Sequence, residues 1–321
     1  MSKASSSQSR GPSVQRPAVR VHPTLEELVR LQFEARDFSL LPRQPVHSLL
    51  SGQHASRLRG RGLTFEELRR YRPGDDIRSI DWRATARLRS AQVRVYTEER
   101  DRPVLLVVDQ RATMFFGSAR TTKATVAAEA AALAAWRTIE RGDRVGAILF
   151  DDDEFVQIQP HRSRGNVLRI CHELVRLNGE LSAARPSTGS DKLNGALRRA
   201  VNVAKHDHLV VLITDYEGDD ETTRELTTRL AAHNDVLAVL VYDPLGARLP
   251  AAPDLEATDG VQRVAVPQGQ SFAKRFENEF RDRCDRIRQR LRAIRIPLLP
   301  ICTHEPVTEQ VLAALGSKRK K

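Results

Sequence analysis

The sequence predicts an α/β protein built on a doubly wound, mainly parallel sheet, with a basic collar placed N-terminal to it. Three observations carry this prediction. Continuous apolar runs of buried-strand type recur at VLLVVD (Val104 to Asp109), LVVLITD (Leu209 to Asp215) and VLAVLVYD (Val236 to Asp243). Segments of helical periodicity separate them, as parallel crossovers require. The Ala-rich stretch Lys123 to Glu140 supplies a helix whose small side chains permit close approach to a sheet.

Taken in order, residues 1–20 are rich in Ser, Arg, Gln and Pro and nearly free of large apolar side chains. Such a segment cannot offset its ordering entropy and is read as a disordered arm. Residues 21–102 form an N-terminal helix and the collar. Thr24 to Leu40 places Leu25, Leu28 and Ala35 at helical spacing, and Thr24 with Glu27 makes a capping box, so an amphipathic helix is expected. In the collar, Thr64 and Glu67 repeat the capping-box pattern, which predicts a brief helix over Phe65 to Tyr71, stopped by Pro73-Gly74. Ile77, Ile80 and Trp82 follow as apolar anchors that need burial, and Gln92 to Glu98 alternates as an edge strand.

Residues 103–316 form the α/β domain. After the first strand and the Ala-rich helix, Val145 to Asp151 and Phe155 to Gln159 are strands joined too briefly for a crossover, so they pair as a hairpin at a sheet edge. Helices fit Asn166 to Leu177, Lys192 to Lys205 and Glu221 to His233. Leu245 to Ser271 breaks the rhythm and reads as a surface hairpin. Phe276, Phe280, Cys284, Ile287, Leu291 and Ile294 then run along one face of a charged helix, before a last strand at Ile296 to Thr303 and a last helix at Val307 to Leu315. Residues 317–321 are a basic tail.

The formal charge of +11 is unevenly placed: His54 to Arg102 carries 13 Arg against 8 acids, while Pro103 to Ser317 carries 28 cations against 29 acids. The basic excess therefore belongs to the collar and the tails, not to the α/β domain. Three scattered cysteines form no C-x-x-C pair, and no apolar run approaches the roughly 18 to 20 residues of a membrane helix. A cytoplasmic protein without membrane insertion is expected.

In a doubly wound sheet ligands bind beyond the carboxyl ends of strands, where strand order reverses. The residues to watch are Asp109-Gln110-Arg111-Ala112-Thr113 and Asp215-Tyr216-Glu217, with Gly189-Ser190-Asp191 opening the helix between. Here the sequence resembles the von Willebrand A fold, whose metal-ion-dependent adhesion site uses Asp-x-Ser-x-Ser after the first strand, a loop Thr, and an Asp after the fourth. Asp109, Thr113, Ser190 and Asp215 match that pattern, and Arg111 departs from it. Arg111 offers only donors and a fixed charge where an oxygen ligand belongs, so it is read as the substitute for the ion, pairing with Asp109 or Asp215. No cofactor is expected, magnesium being the one ion the remaining oxygens could take. Arg111→Ser alone is expected to restore that binding. The plainer alternative is that Asp109 and Asp215 only cap turns at strand ends. Asp151-Asp152-Asp153 and Asp219-Asp220 are read as solvated clusters.

The collar, RGLTFEELRRYRPGDDIRSIDWRATAR, together with the strand that follows it, is similar to the bacterial domain-of-unknown-function 58 (DUF58) family from about Gly60 to Asp215. Tyr71, Pro73-Gly74-Asp75-Asp76, Arg78, Asp81-Trp82 and Arg87 match as an ordered set. The resemblance implies a von Willebrand A-like fold and a partner of the MoxR-type AAA+ ATPase class, or that ATPase's client protein. It makes Tyr71, Asp75, Asp76, Arg78, Asp81, Trp82 and Arg87 the candidate partner-binding residues. No catalytic constellation is visible, and a non-catalytic interaction module or adaptor is the leading reading. The alternatives are nucleic-acid binding through the Arg-rich collar and, last, a metal-dependent phosphoesterase at Asp109 and Asp215.

Overall fold

In a computed structural model of the chain, the residues described are 20–36, 38–40, 63–73, 75–98, 102–182, 190–247, 256–258, 263–265 and 269–316. The arm (residues 1–19) and the tail (317–321) lie outside them. In chain order the elements are α1 (Leu25–Arg30), β1 (Leu63–Arg70), α2 (Trp82–Leu88), β2 (Gln92–Glu98), β3 (Val104–Asp109), α3 (Lys123–Glu140), β4 (Val145–Phe150), β5 (Phe155–His161), α4 (Arg164–Gly179), α5 (Ser190–Val203), β6 (Leu209–Thr214), α6 (Glu221–His233), β7 (Asp235–Tyr242), α7 (Pro244–Ala247), β8 (Glu256–Thr258), β9 (Arg263–Ala265), α8 (Gln270–Ala293), β10 (Leu298–Cys302) and α9 (Val307–Leu315). Among the described residues no helix is long and apolar enough to cross a membrane.

Six strands form the central sheet in the order β10-β7-β6-β3-β4-β5. All neighbours are parallel except β5, which pairs antiparallel with β4 at one edge. The hairpin predicted there is present because the four residues between β4 and β5 cannot cross over. Every residue of β3, β4 and β6 is buried, so these strands face helices on both sides. Val104, Leu106 and Val108 point to the face covered by α1, α3, α4 and α9, whereas Leu105 and Val107 point to α5, α6 and α8. Strand order reverses between β3 and β6, because the chain runs outward from β3 to β4 and returns to β6 on the other side.

The element ends in residues 103–316 fall within a residue or two of expectation, α8 excepted, which starts earlier, at Gln270. Before Pro103 the structure departs further. The helix expected over Thr24 to Leu40 is only α1, capped by Thr24 and Glu27 as predicted, followed by a 3-10 turn at Leu31–Phe33. The rest is a strap. Phe38 bridges Gly316, Trp136 Nε1 donates to the Leu28 carbonyl at 2.9 Å, and Arg137 Nε donates to the Phe38 carbonyl at 2.7 Å. Leu28, Ala35, Phe38 and Leu40 are buried in the core shared by α3 and α9. Residues 20–40 therefore pack with the α/β unit and not with the collar: the second unit, residues 47–102, ends where the division was expected but begins later than residue 21.

Within that second unit the helix expected over Phe65 to Tyr71 is instead β1, paired antiparallel with β2. A capping pattern is a local preference, and pairing with a strand more than twenty residues away overrides it. The helix lies later, at α2, where the Asp81 carboxylate accepts from the Arg83 and Ala84 amides at 3.0 Å each. Ile77 and Trp82, expected to be buried, are 63% and 68% exposed. A small unit whose described residues form one strand pair, a 3-10 turn and one seven-residue helix has little interior to offer them. Between Leu245 and Ser271 the described residues contain the antiparallel pair β8–β9, as the hairpin reading expected, and also the end of α7 and the start of α8, which it did not.

Candidate functional site

The switch point of the sheet is where the predicted site residues converge. Asp109 is the last residue of β3 and Asp215 follows the last residue of β6, so two apolar strands lying side by side each end in a carboxylate. Both are buried, and so is Arg111, whose side chain is 0% exposed. Arg111 curls back onto Asp109: its backbone N–H and Nε each donate to Oδ1 at 3.0 Å, and Nη2 donates to Oδ2 at 2.7 Å. The same Nη2 donates to the Glu217 carbonyl at 3.1 Å and stands 3.9 Å from Asp215 Oδ1. The guanidinium carbon lies 5.8 Å from the Phe150 ring centroid. Burial works against the guanidinium charge, but the attraction of Asp109, with smaller pulls from Asp215 and Asp152, raises its pKa above the ordinary arginine value.

Further groups complete the site, of which the sequence reading missed Lys123, Thr214 and the role of Asp152. Lys123, the first residue of α3, places Nζ 2.6 Å from Asp215 Oδ2. Thr214 donates its hydroxyl to Asp109 Oδ2 at 2.7 Å, and the Glu217 amide donates to Asp215 Oδ1 at 2.9 Å. Asp152, read as solvated, is buried and accepts from the Ala112 amide at 2.6 Å, which pins the loop carrying Arg111 and Thr113. Asp220 is also misread as solvated: it caps α6 and accepts from Asn194, while Asp219 is paired with Arg290 at 2.6 Å. Thr113 sits on the site loop with its hydroxyl oxygen buried and without a hydrogen-bond partner among the described residues. Ser190 opens α5, but its side chain lies outside the described residues.

One signal for Lys123 was present in the sequence. A cation at the first position of a helix opposes the helix dipole, and no acid occurs in the first turn of α3 to offset it. Such a lysine needs an anion nearby, and Asp215 is that anion.

Burial alone would push the Asp215 carboxyl up; Lys123 and then Arg111 outweigh it and hold the pKa at about 2, below the ordinary 3.8. A depressed carboxylate contributes stability that is complete above its unfolded pKa and lost as the pH falls through the folded one. For Asp215 the window runs from about pH 4 down to about pH 2. Lys123→Met removes the nearest cation and brings the folded pKa up toward the unfolded one, so the Asp215 contribution above about pH 4 shrinks and the chain, starting less stable, should unfold at a higher acid midpoint. Circular dichroism during acid titration checks this: an acid midpoint identical to that of the parent chain would show that Lys123 does not set the Asp215 charge.

The arrangement does not fit a divalent cation. Magnesium needs several hard oxygens free to point at it. Both Asp109 oxygens accept from Arg111, and the Asp215 oxygens accept from Lys123 and the Glu217 amide. Two protein cations already neutralise the two carboxylates.

The collar residues divide into two groups. Asp75 receives a two-pronged contact from Arg69, at 2.8 and 2.7 Å, and the Arg72 amide, and Arg69 holds its carboxyl below the usual range. Asp76 accepts from the Arg78 amide, and Asp81 caps α2. These three acids serve the fold of the collar. Arg78, Trp82 and Arg87 are exposed, and Tyr71 is half-buried.

Fold and site together define an open α/β domain whose switch point holds a buried ion-pair cluster. The chain belongs to the family described as "Protein of unknown function DUF58", which matches residues 67–286. It is 27% identical to uncharacterized proteins of Mycobacterium bovis and Mycobacterium tuberculosis, over 98% of this chain and 97% of theirs.

Proposed function

We propose that this chain is a non-catalytic protein-interaction module of von Willebrand A type, with a metal-ion-dependent adhesion site closed by the protein's own cations. The observation that supports this reading is the fully buried Arg111 on Asp109, with Lys123 on Asp215. Asp109, Thr113, Ser190 and Asp215 are the positions that would supply oxygens to magnesium in a working site, and Arg111 occupies a ligand position with hydrogen-bond donors. Hydrolysis at this site would need a carboxylate free to activate water. Asp109 or Asp215 would first have to give up a charged partner, which weighs against a phosphoesterase.

The partner is an AAA+ ATPase of the MoxR type, or its client, as the family resemblance suggests. Retention of the purified ATPase from the same host on the full-length, immobilised chain is the test, made with ATP and with ADP. Binding in at least one nucleotide state is the expected result. No retention in either state would overturn the adaptor reading.

A further inference from the structure

We propose that α2 and the turn before it form a docking surface for an acidic, amphipathic protein segment. The inference rests on the reading of the chain as an interaction module, but on its collar and not on its strand-end site.

Between Ile77 and Arg89 the only acid is Asp81, and its carboxylate is committed to the α2 amides. Asp75 and Asp76 are likewise taken up by Arg69 and by turn amides. These three acids are therefore spent on turn and helix amides and on Arg69. Arg78, Arg83, Arg87 and Arg89 are exposed and have no ion pair among the described residues. The helical rotation of about 100° per residue puts Arg83 and Arg87 on one row, beside the row of Trp82 and Ala86. All four are exposed, whereas Ala84 and Thr85, on the other side of the helix, are half-buried.

The same stretch exposes large apolar side chains: Ile77 at 63%, Trp82 at 68% and Leu88 at 56%. Cations and apolar groups on one short stretch ask for a partner that brings both carboxylates and apolar side chains. A nucleic acid would satisfy the arginines and could stack one base on Trp82, but single-strand binders use successive aromatic platforms. Ile77 and Leu88 gain nothing from phosphates. The residues before β1 cannot serve as the occupant by charge, since His47 to Gly62 contains Arg57, Arg59 and Arg61 and no acid.

The test uses the full chain and a synthetic helix with Leu at i, i+3, i+4 and i+7 and Glu elsewhere. The chain has two tryptophans, and Trp136 is buried with its ring N–H bonded to the Leu28 carbonyl, so a change in emission reports Trp82. The expected result is a saturable blue shift, with affinity lowered about tenfold or more by the double change Arg83→Glu and Arg87→Glu. Ile77→Ser should weaken binding at unchanged salt dependence, as an apolar contact would. Trp82→Phe, followed by anisotropy of the labelled peptide, should lose the emission signal but keep binding. No saturable shift, equal binding of an oligoglutamate of the same charge, or tighter binding of a single-stranded oligonucleotide would each overturn the proposal. ATPase retention together with a failed peptide titration would remove this surface and leave the adaptor reading standing.

Discussion

Arg111→Ala is expected to destabilise the α/β unit by about 3–5 kcal/mol, the cost of breaking a buried ion pair from one side. The guanidinium is fully buried and supplies most of the donors to Asp109. Without it Asp109 retains the Thr214 hydroxyl and one backbone amide, neither of which carries a charge. For an α/β unit of this size the loss corresponds to a drop in Tm of roughly 5–9 °C. Magnesium should not restore it, because Lys123 remains on Asp215. That second cation also revises the expectation that Arg111→Ser alone restores an ion site. Serine at position 111 returns a hydroxyl, but Asp215 Oδ2 stays occupied, so divalent affinity should appear only when Arg111→Ser is combined with Lys123→Ala. Thermal melts and calorimetry with magnesium or manganese separate these cases. A melt of Arg111→Ala within a degree or so of the parent, or full ion affinity in the single serine variant, would refute this account of the site.

Leu28→Ala and Phe38→Ala are expected to cost about 2–5 kcal/mol each, as truncations of fully buried core side chains do. Both lie on the strap before the collar, far in sequence from the strands, yet their relative exposures are 0% and 2%. The strap is held by backbone as well as side chains, through the Trp136 and Arg137 bonds and the Phe38–Gly316 bridge. By contrast, Ile77→Ala and Trp82→Ala in the collar should change stability by no more than about 0.5 kcal/mol, as exposed substitutions do. Urea denaturation of the four variants makes the comparison. If Leu28→Ala is as silent as Trp82→Ala, the strap is not part of the core.

The contrast between strap and collar shows what is legible in a single sequence. Leu25, Leu28 and Ala35 announce a helix with an apolar side, and the Thr24–Glu27 box announces where it starts, because both are local. What the apolar side packs against is not local, and the strap was assigned to the wrong unit for that reason. Phe65 to Tyr71 failed in the opposite direction: its capping pattern is real chemistry, but the strand partner at Gln92–Glu98 offers more backbone bonds than a two-turn helix does.

The strand-end site was half legible. Asp109 and Asp215 could be selected because apolar runs of parallel-strand type place their last residues at one edge of a sheet, whereas Arg111 stands out only against the metal-site pattern that the resemblance implies. Lys123 and Asp152 could not be selected. Each reaches the site across tens of residues, from a helix start and from a hairpin turn, and their chemistry depends on which strands are neighbours. By itself the sequence determined the order of strands and major helices in residues 103–316, the hairpin at the sheet edge and the buried strands, all of which follow from periodicity and connection length. Only the tertiary structure decided how the charges are distributed: which acids are spent on helix caps and buried pairs, and which arginines remain exposed. The physical reason is that a charge acts through its distance and its burial, and both are set by folding, not by position along the chain.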